Sequence, residues 1–173
     1  MQPYDHRLTL LAALEDQLVR EFRAYQSLIL ITREERTALA SGDIPNLIAL
    51  VDQKDHLIDD LMALEDTRIK TVSAWGIASS IGKEDLTIAD VVSKLEPAAS
   101  ARFSRLREGI LAQVTELRDL NRGNQALAAS ALDRVDAVRS FFVSLGDGPQ
   151  TYDVPGTSIV SAPQPTYGLE QWA

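Results

Sequence analysis

The chain has no cysteine and only two histidines in 173 residues. The first absence excludes disulfide scaffolds, thiolate metal sites and cysteine nucleophiles, and suits the cytosol. The second leaves little for imidazole chemistry. His6 lies near the terminus and His56 on a polar helix face. Neither belongs to an H-E-x-x-H pair or a nucleophile–base pair. Aromatic residues are only 6% of the chain, so any core is aliphatic. Basic residues number 17 against 25 acidic ones, a net charge of −8, which excludes a cationic surface for nucleic acid. No run of about 18 apolar residues is present, so no membrane insertion is expected. Residues Met1 to Leu14 lack the basic head and continuous apolar stretch of a signal peptide. Phosphate-loop and dinucleotide glycine patterns are missing, and no set of Glu and Glu-x-x-His motifs suits a di-metal bundle. The chain therefore reads as a soluble, cytosolic, non-enzymatic protein with no metal and no cofactor.

What is present is helical periodicity. From about 7 to 41, Leu11, Leu18, Tyr25, Thr32 and Leu39 recur every seven residues, beside Leu8, Leu14, Phe22, Leu28 and Ile29. Asp16, Arg20, Arg23 and Glu34 occupy the opposite face, as an amphipathic helix requires. Gly42 ends it. Asp43 caps the next helix, with Pro45 in its first turn. So short a link predicts an antiparallel hairpin. The second helix, about 44 to 75, carries a heptad seam of Leu47, Leu50, Lys54, Leu57, Leu61, Leu64, Arg68 and Trp75. Lys54 and Arg68 read as snorkelling or register-setting members of it. Asp52, Asp55, Asp59 and Asp66 form an acidic stripe, read as a solvated face or as one that attracts a basic partner segment.

Gly76, Ser79, Ser80 and Gly82 break the pattern, and Thr87 caps a short helix from about 88 to 95. Pro97 opens a third long helix to about 145, roughly 70 Å at the usual rise. Its seam is Phe103, Ile110, Leu117, Asn124, Ala131, Val138 and Leu145. Gly109 and Gly123 within it mark close packing or a bend. Asn124 in a seam position either fixes register or, with Asn121, receives a partner backbone. The fold class is all-α: an elongated, antiparallel, coiled-coil-like bundle of three long helices over 1–145. A flexible tail over 146–173 holds four of the nine glycines and four of the seven prolines. Tyr152, Tyr167 and Trp172 in that tail are short recognition elements or collapse locally onto the bundle.

Four local patterns resemble the FlgN type of flagellar export chaperone. They are Glu35-Arg36-Thr37-Ala38-Leu39-Ala40-Ser41-Gly42-Asp43 at the hairpin; Lys54, Leu57, Leu61, Leu64, Glu65 and Arg68; Leu117, Leu120, Asn121, Asn124 and Leu127; and Thr151-Tyr152-Asp153-Val154-Pro155-Gly156. Their order and spacing cover about Leu8 to Gly156. The resemblance implies a cytosolic chaperone that binds the C-terminal helices of hook–filament junction proteins, prevents their premature assembly and delivers them to the export gate. It implies that Tyr152, with Asp153 and Gly156, docks on the cytoplasmic domain of the gate. The expected cargo platform is Asn121, Asn124, Leu127, Ala131, Val135, Val138, Phe141, Phe142 and Leu145, on the part of the third helix beyond the reach of the first two. A self-associating structural coiled coil and a different secretion adaptor remain as alternatives, and oligomeric state is left open.

Overall fold

The computed structural model describes residues 3–82 and 85–146, with side chains described for 6–82 and 85–145. Its elements are α1 (Pro3–Ser41), α2 (Ile44–Ala78), α3 (Ile88–Val92) and α4 (Pro97–Gly146). There is no strand among the described residues, in keeping with the all-α expectation. The chain divides into two units, Met1–Val135 and Asp136–Ala173. The division falls within α4 rather than at its end.

In the first unit, the α1–α2 turn forms for the reasons its residues suggest. Gly42 takes the left-handed conformation, φ 71°, which costs a glycine nothing. Its N–H reaches the Leu39 carbonyl and the Asp43 N–H reaches the Ala38 carbonyl, at 3.4 and 2.9 Å. These two bonds satisfy carbonyls that α1 would otherwise leave bare. The Asp43 side chain then accepts from the Asn46 N–H at 3.2 Å, starting α2.

Pairs across the hairpin define its register. Glu21 bonds Arg68 and Glu35 bonds Lys54. The two acids lie two heptads apart on α1, as the two bases do on α2. The residue numbers of each pair add to the same total, as antiparallel pairing requires. Gln17 Nε2 also donates to Thr71 Oγ1 at 3.0 Å, one step from that register.

Along α4 the order reverses relative to α2. Arg102 pairs with Glu15, Gly109 packs on Phe22, Arg33 pairs with Glu116, and Gly123 lies against Arg36. Numbers rise together on α1 and α4, so α4 runs parallel to α1 and antiparallel to α2. Gly109 and Gly123 are therefore sites of close packing. A Cβ at Gly109 would sit 2.8 Å from the Phe22 ring.

The best-packed region is at the end of the bundle where α2 leaves and α4 begins. Leu14, Leu18, Val72, Trp75, Ile88, Val91 and Phe103 form one buried cluster there. The connector closes that end. Thr87 and Asp90 cap α3 reciprocally: the Asp90 carboxylate accepts from the Thr87 N–H at 2.9 Å, and Thr87 Oγ1 accepts from the Asp90 N–H at 3.3 Å. Ile88 and Val91 then face inward. α3 stops at Val92, sooner than its apolar pattern suggested; Leu95 still packs on the core from the turn that follows. α2 runs three residues past Trp75, because Gly76 is a buried packing residue beneath Leu86 rather than a turn. The left-handed residue that follows is Ser80, φ 55°. Ile81 N–H closes that turn on the Gly76 carbonyl at 3.0 Å.

The described part of the second unit, 136–146, is helical throughout, about three turns.

Candidate functional site

Asn121 and Asn124 meet in a polar layer that joins three helices. Asn124 is buried, and its Nδ2 donates to the Thr32 carbonyl at 2.8 Å and to Glu35 Oε2 at 3.3 Å. The Thr32 hydroxyl, also buried, donates back to the Leu28 carbonyl at 2.7 Å. Lys54 Nζ donates to the same Glu35 oxygen at 2.6 Å and to Asn121 Oδ1 at 2.8 Å. One carboxylate is thus held from α2 and α4 at once. Asn124 Oδ1 has no protein partner in this layer. A buried network of this kind favours one register, since a slipped register strands a charge.

The second layer is simpler. Arg68 Nε donates to Glu21 Oε1 at 2.8 Å, and its other nitrogen reaches Glu65 at 3.2 Å. Burial pushes the Glu21 carboxyl above the ordinary carboxylate range, against the opposing pull of Arg68. Burial, with the Glu21 and Glu65 charges, raises the Tyr25 hydroxyl as well. Tyr25, Glu21, Leu18, Leu61, Arg68 and Ile110 line part of a cleft of about 630 Å³ bounded by α1, α2, α4 and the connector.

Sequence reasoning missed Glu21 and Glu35 as buried acids. The signal was there: both fall in the 3-4 spacing Leu14, Leu18, Glu21, Tyr25, Leu28, Thr32, Glu35, Leu39, and their separation on α1 equals that of Lys54 and Arg68 on α2. Carboxylates look like surface residues until their cations are placed opposite.

Of the remaining expected residues, Leu127 and Ala131 are half-buried, and Val135 is exposed in the first unit. In the second unit Val138, Phe141, Phe142 and Leu145 are all exposed, between 55% and 65%. Phe141 and Phe142 meet edge-on, ring centroids 5.9 Å apart. Tyr152, Asp153 and Gly156 lie outside the described residues. His6 and His56 are exposed, and no group of His, Asp and Glu among the described residues is arranged to hold a metal ion. No helix among them is long and apolar enough to cross a membrane.

The first unit is thus a bundle of long helices held by internal polar layers, and the described part of the second unit carries apolar side chains open to solvent. The chain belongs to the FlgN family: the family model described as FlgN protein matches residues 1–158. The family is one of flagellar export chaperones. A curated relative, the uncharacterized protein YvyG of Bacillus subtilis (strain 168), is 26% identical over 121 residues, 69% of this chain and 72% of that protein. No solved structure matches the chain.

Proposed function

We propose that this protein is a cytoplasmic, non-catalytic chaperone that binds the C-terminal helical segments of hook–filament junction proteins, prevents their premature assembly and brings them to the export gate. The observation that carries this reading, beside family membership, is the apolar set Val138, Phe141, Phe142 and Leu145, every one exposed to solvent. Large exposed apolar residues in helical spacing mark a surface that awaits a partner. An amphipathic cargo helix offers the matching stripe. In the first unit Leu127, Ala131 and Val135 take the same role on their own turns of α4. Asn121 and Asn124 contribute by holding α4 in register through Lys54, Glu35 and Thr32 rather than by facing cargo. Tyr152, with Asp153 and Gly156, is the docking element for the cytoplasmic domain of the export gate, and serves as an aromatic anchor.

Two variants titrated against two partners test this division of labour. Val138→Ser/Phe142→Ser is expected to weaken binding of the junction-protein segment by about tenfold or more and to leave gate binding alone. Tyr152→Ala is expected to do the reverse. A Tyr152→Ala protein that loses cargo and keeps the gate contradicts the assignment.

A further inference from the structure

α2 carries a second apolar seam that the bundle leaves largely open, with Ile69 at the edge of the cleft described above. Ile44, Ile48, Val51, Ile58, Met62 and Ile69 follow the alternating 4-3 spacing of a heptad, with Asp55 and Glu65 filling the intervening positions. Each of the six is between 38% and 62% exposed. The seam spans about 38 Å of helix, the length of a substantial helix–helix contact. Its inner counterpart, from Leu47 to Arg68, is the one that packs on α1 and α4.

The electrostatics of this outer face follow from the polar layers inside. Lys54 and Arg68 are the cations of α2 between Val51 and Ile69, and both turn inward to Glu35 and Glu21. Asp52, Asp55, Asp59, Asp60, Glu65 and Asp66 remain outside, and among the described residues only Glu65 of these shares a cation, Arg68. From Val51 to Ile69 the outer seam is therefore flanked by acids with no exposed Lys or Arg among them; the exposed Lys70 follows at its end. A second copy of α2 would set acid against acid in either orientation, which disfavours self-pairing. The exposed end of α4 offers no complement either, since Asp136 and Arg139 cancel there.

We infer that the outer face of α2 is a second docking surface, separate from the proposed cargo contact, and that its occupant is a basic amphipathic helix of another protein. That helix lays an apolar heptad stripe on Ile48, Val51, Ile58 and Met62 and directs Lys or Arg flanks at Asp52, Asp59 and Asp66 and towards Asp55 within the seam. Apolar contact supplies affinity, and the charge pattern selects the partner and speeds its approach.

The test uses the full chain and three labelled synthetic peptides of about four heptads: one with Leu and Ile at the seam and Lys on the flanks, one with Glu on the flanks, and one with the first composition scrambled. Fluorescence anisotropy should show saturable 1:1 binding of the Lys-flanked peptide, with the other two about 100-fold weaker. Ile48→Ser/Met62→Ser and Asp55→Asn/Asp59→Asn should each weaken it about tenfold, with circular dichroism melts close to those of the parent, because these side chains are exposed. Phe142→Ser should leave it unchanged, so this inference and the cargo reading fail independently. Equal binding of the scrambled or Glu-flanked peptide, no binding of the Lys-flanked one, unchanged binding in the outer-face variants, or loss in Phe142→Ser overturns the proposal. So does a concentration-dependent dimer in light scattering that Ile48→Ser/Met62→Ser abolishes, since the occupant is then a second copy.

Discussion

The two seams of α2 share a period and differ in almost everything else. The inner one, Leu47 through Trp75, is largely leucine and is interrupted by Lys54 and Arg68. The outer one, Ile44 through Ile69, is richer in β-branched residues and is bordered by acids. Hydrophobicity does not separate them, and the seam that contains two cations is the one that packs inside. The difference lies in the neighbouring helix. α1 presents Glu21 and Glu35 at a matching spacing, so the inner seam neutralises its own charges on folding, whereas among the described residues only Glu65 of the outer acids between Asp52 and Asp66 shares a cation. An antiparallel coiled coil reads its register from such complementary interruptions, and the apolar positions between them supply the burial.

The largest expected effect comes from breaking one interruption. Lys54→Met leaves Glu35 buried without its cation and takes a partner from Asn121. Urea unfolding should show a loss of about 3 kcal/mol. A neutral result would mean that the layer is decoration and that the leucines alone define the pairing. Next is Leu50→Ala on the inner seam, where the side chain is 3% exposed. The cavity should cost about 2–3 kcal/mol. Its outer neighbour Ile48, 59% exposed, should tolerate Ser within about 0.5 kcal/mol. If Ile48→Ser costs as much as Leu50→Ala, the isolated protein already buries its outer seam, and the contrast between the two faces fails.

A pH titration sharpens the same comparison at the second layer. Burial raises the Glu21 carboxyl above its ordinary value of 4.5, so the folded protein holds that proton more tightly than the unfolded chain does. This contribution to stability is fully present below 4.5 and is lost as pH rises through the raised value. Glu21→Gln should lack that decline. Urea midpoints for both proteins between about pH 4 and 7 isolate it by difference. A parent midpoint that rises through this window relative to the Gln variant would show that Arg68 outweighs burial. At the hairpin that brings the seams together the effect should be smaller than at Lys54 or Leu50. Gly42→Ala meets no atom within 4 Å, so only its left-handed backbone is strained, and the loss should be about 1 kcal/mol.

Much of the fold was legible because its signals are local. Gly42, Asp43 and Pro45 state a turn and a cap, Thr87 states another, and the seven-residue recurrence in the long helices names the core faces. The acids of the polar layers were not legible one helix at a time, since Glu21 and Glu35 acquire meaning only across the hairpin. Gly76 misled for a related reason: the absence of a side chain there serves the approach of Leu86, not a turn. The outer seam of α2 was hidden by the inner one, because both obey the same period and the apolar run was assigned to a single face. Of the candidate site, the open apolar residues of α4 could be anticipated from helix lengths alone. The inward setting of Asn124 needed the position of Thr32 and Glu35 on another helix.

Hydrogen–deuterium exchange of the full chain, with and without the C-terminal segment of a hook–filament junction protein, tests the central claim most directly. The account predicts new protection confined to α4, strongest over residues 136–145, with the amides of α2 between 44 and 69 unchanged. Protection that develops along α2 and leaves 136–145 exchanging as before would contradict it and would move the cargo to the acidic outer seam.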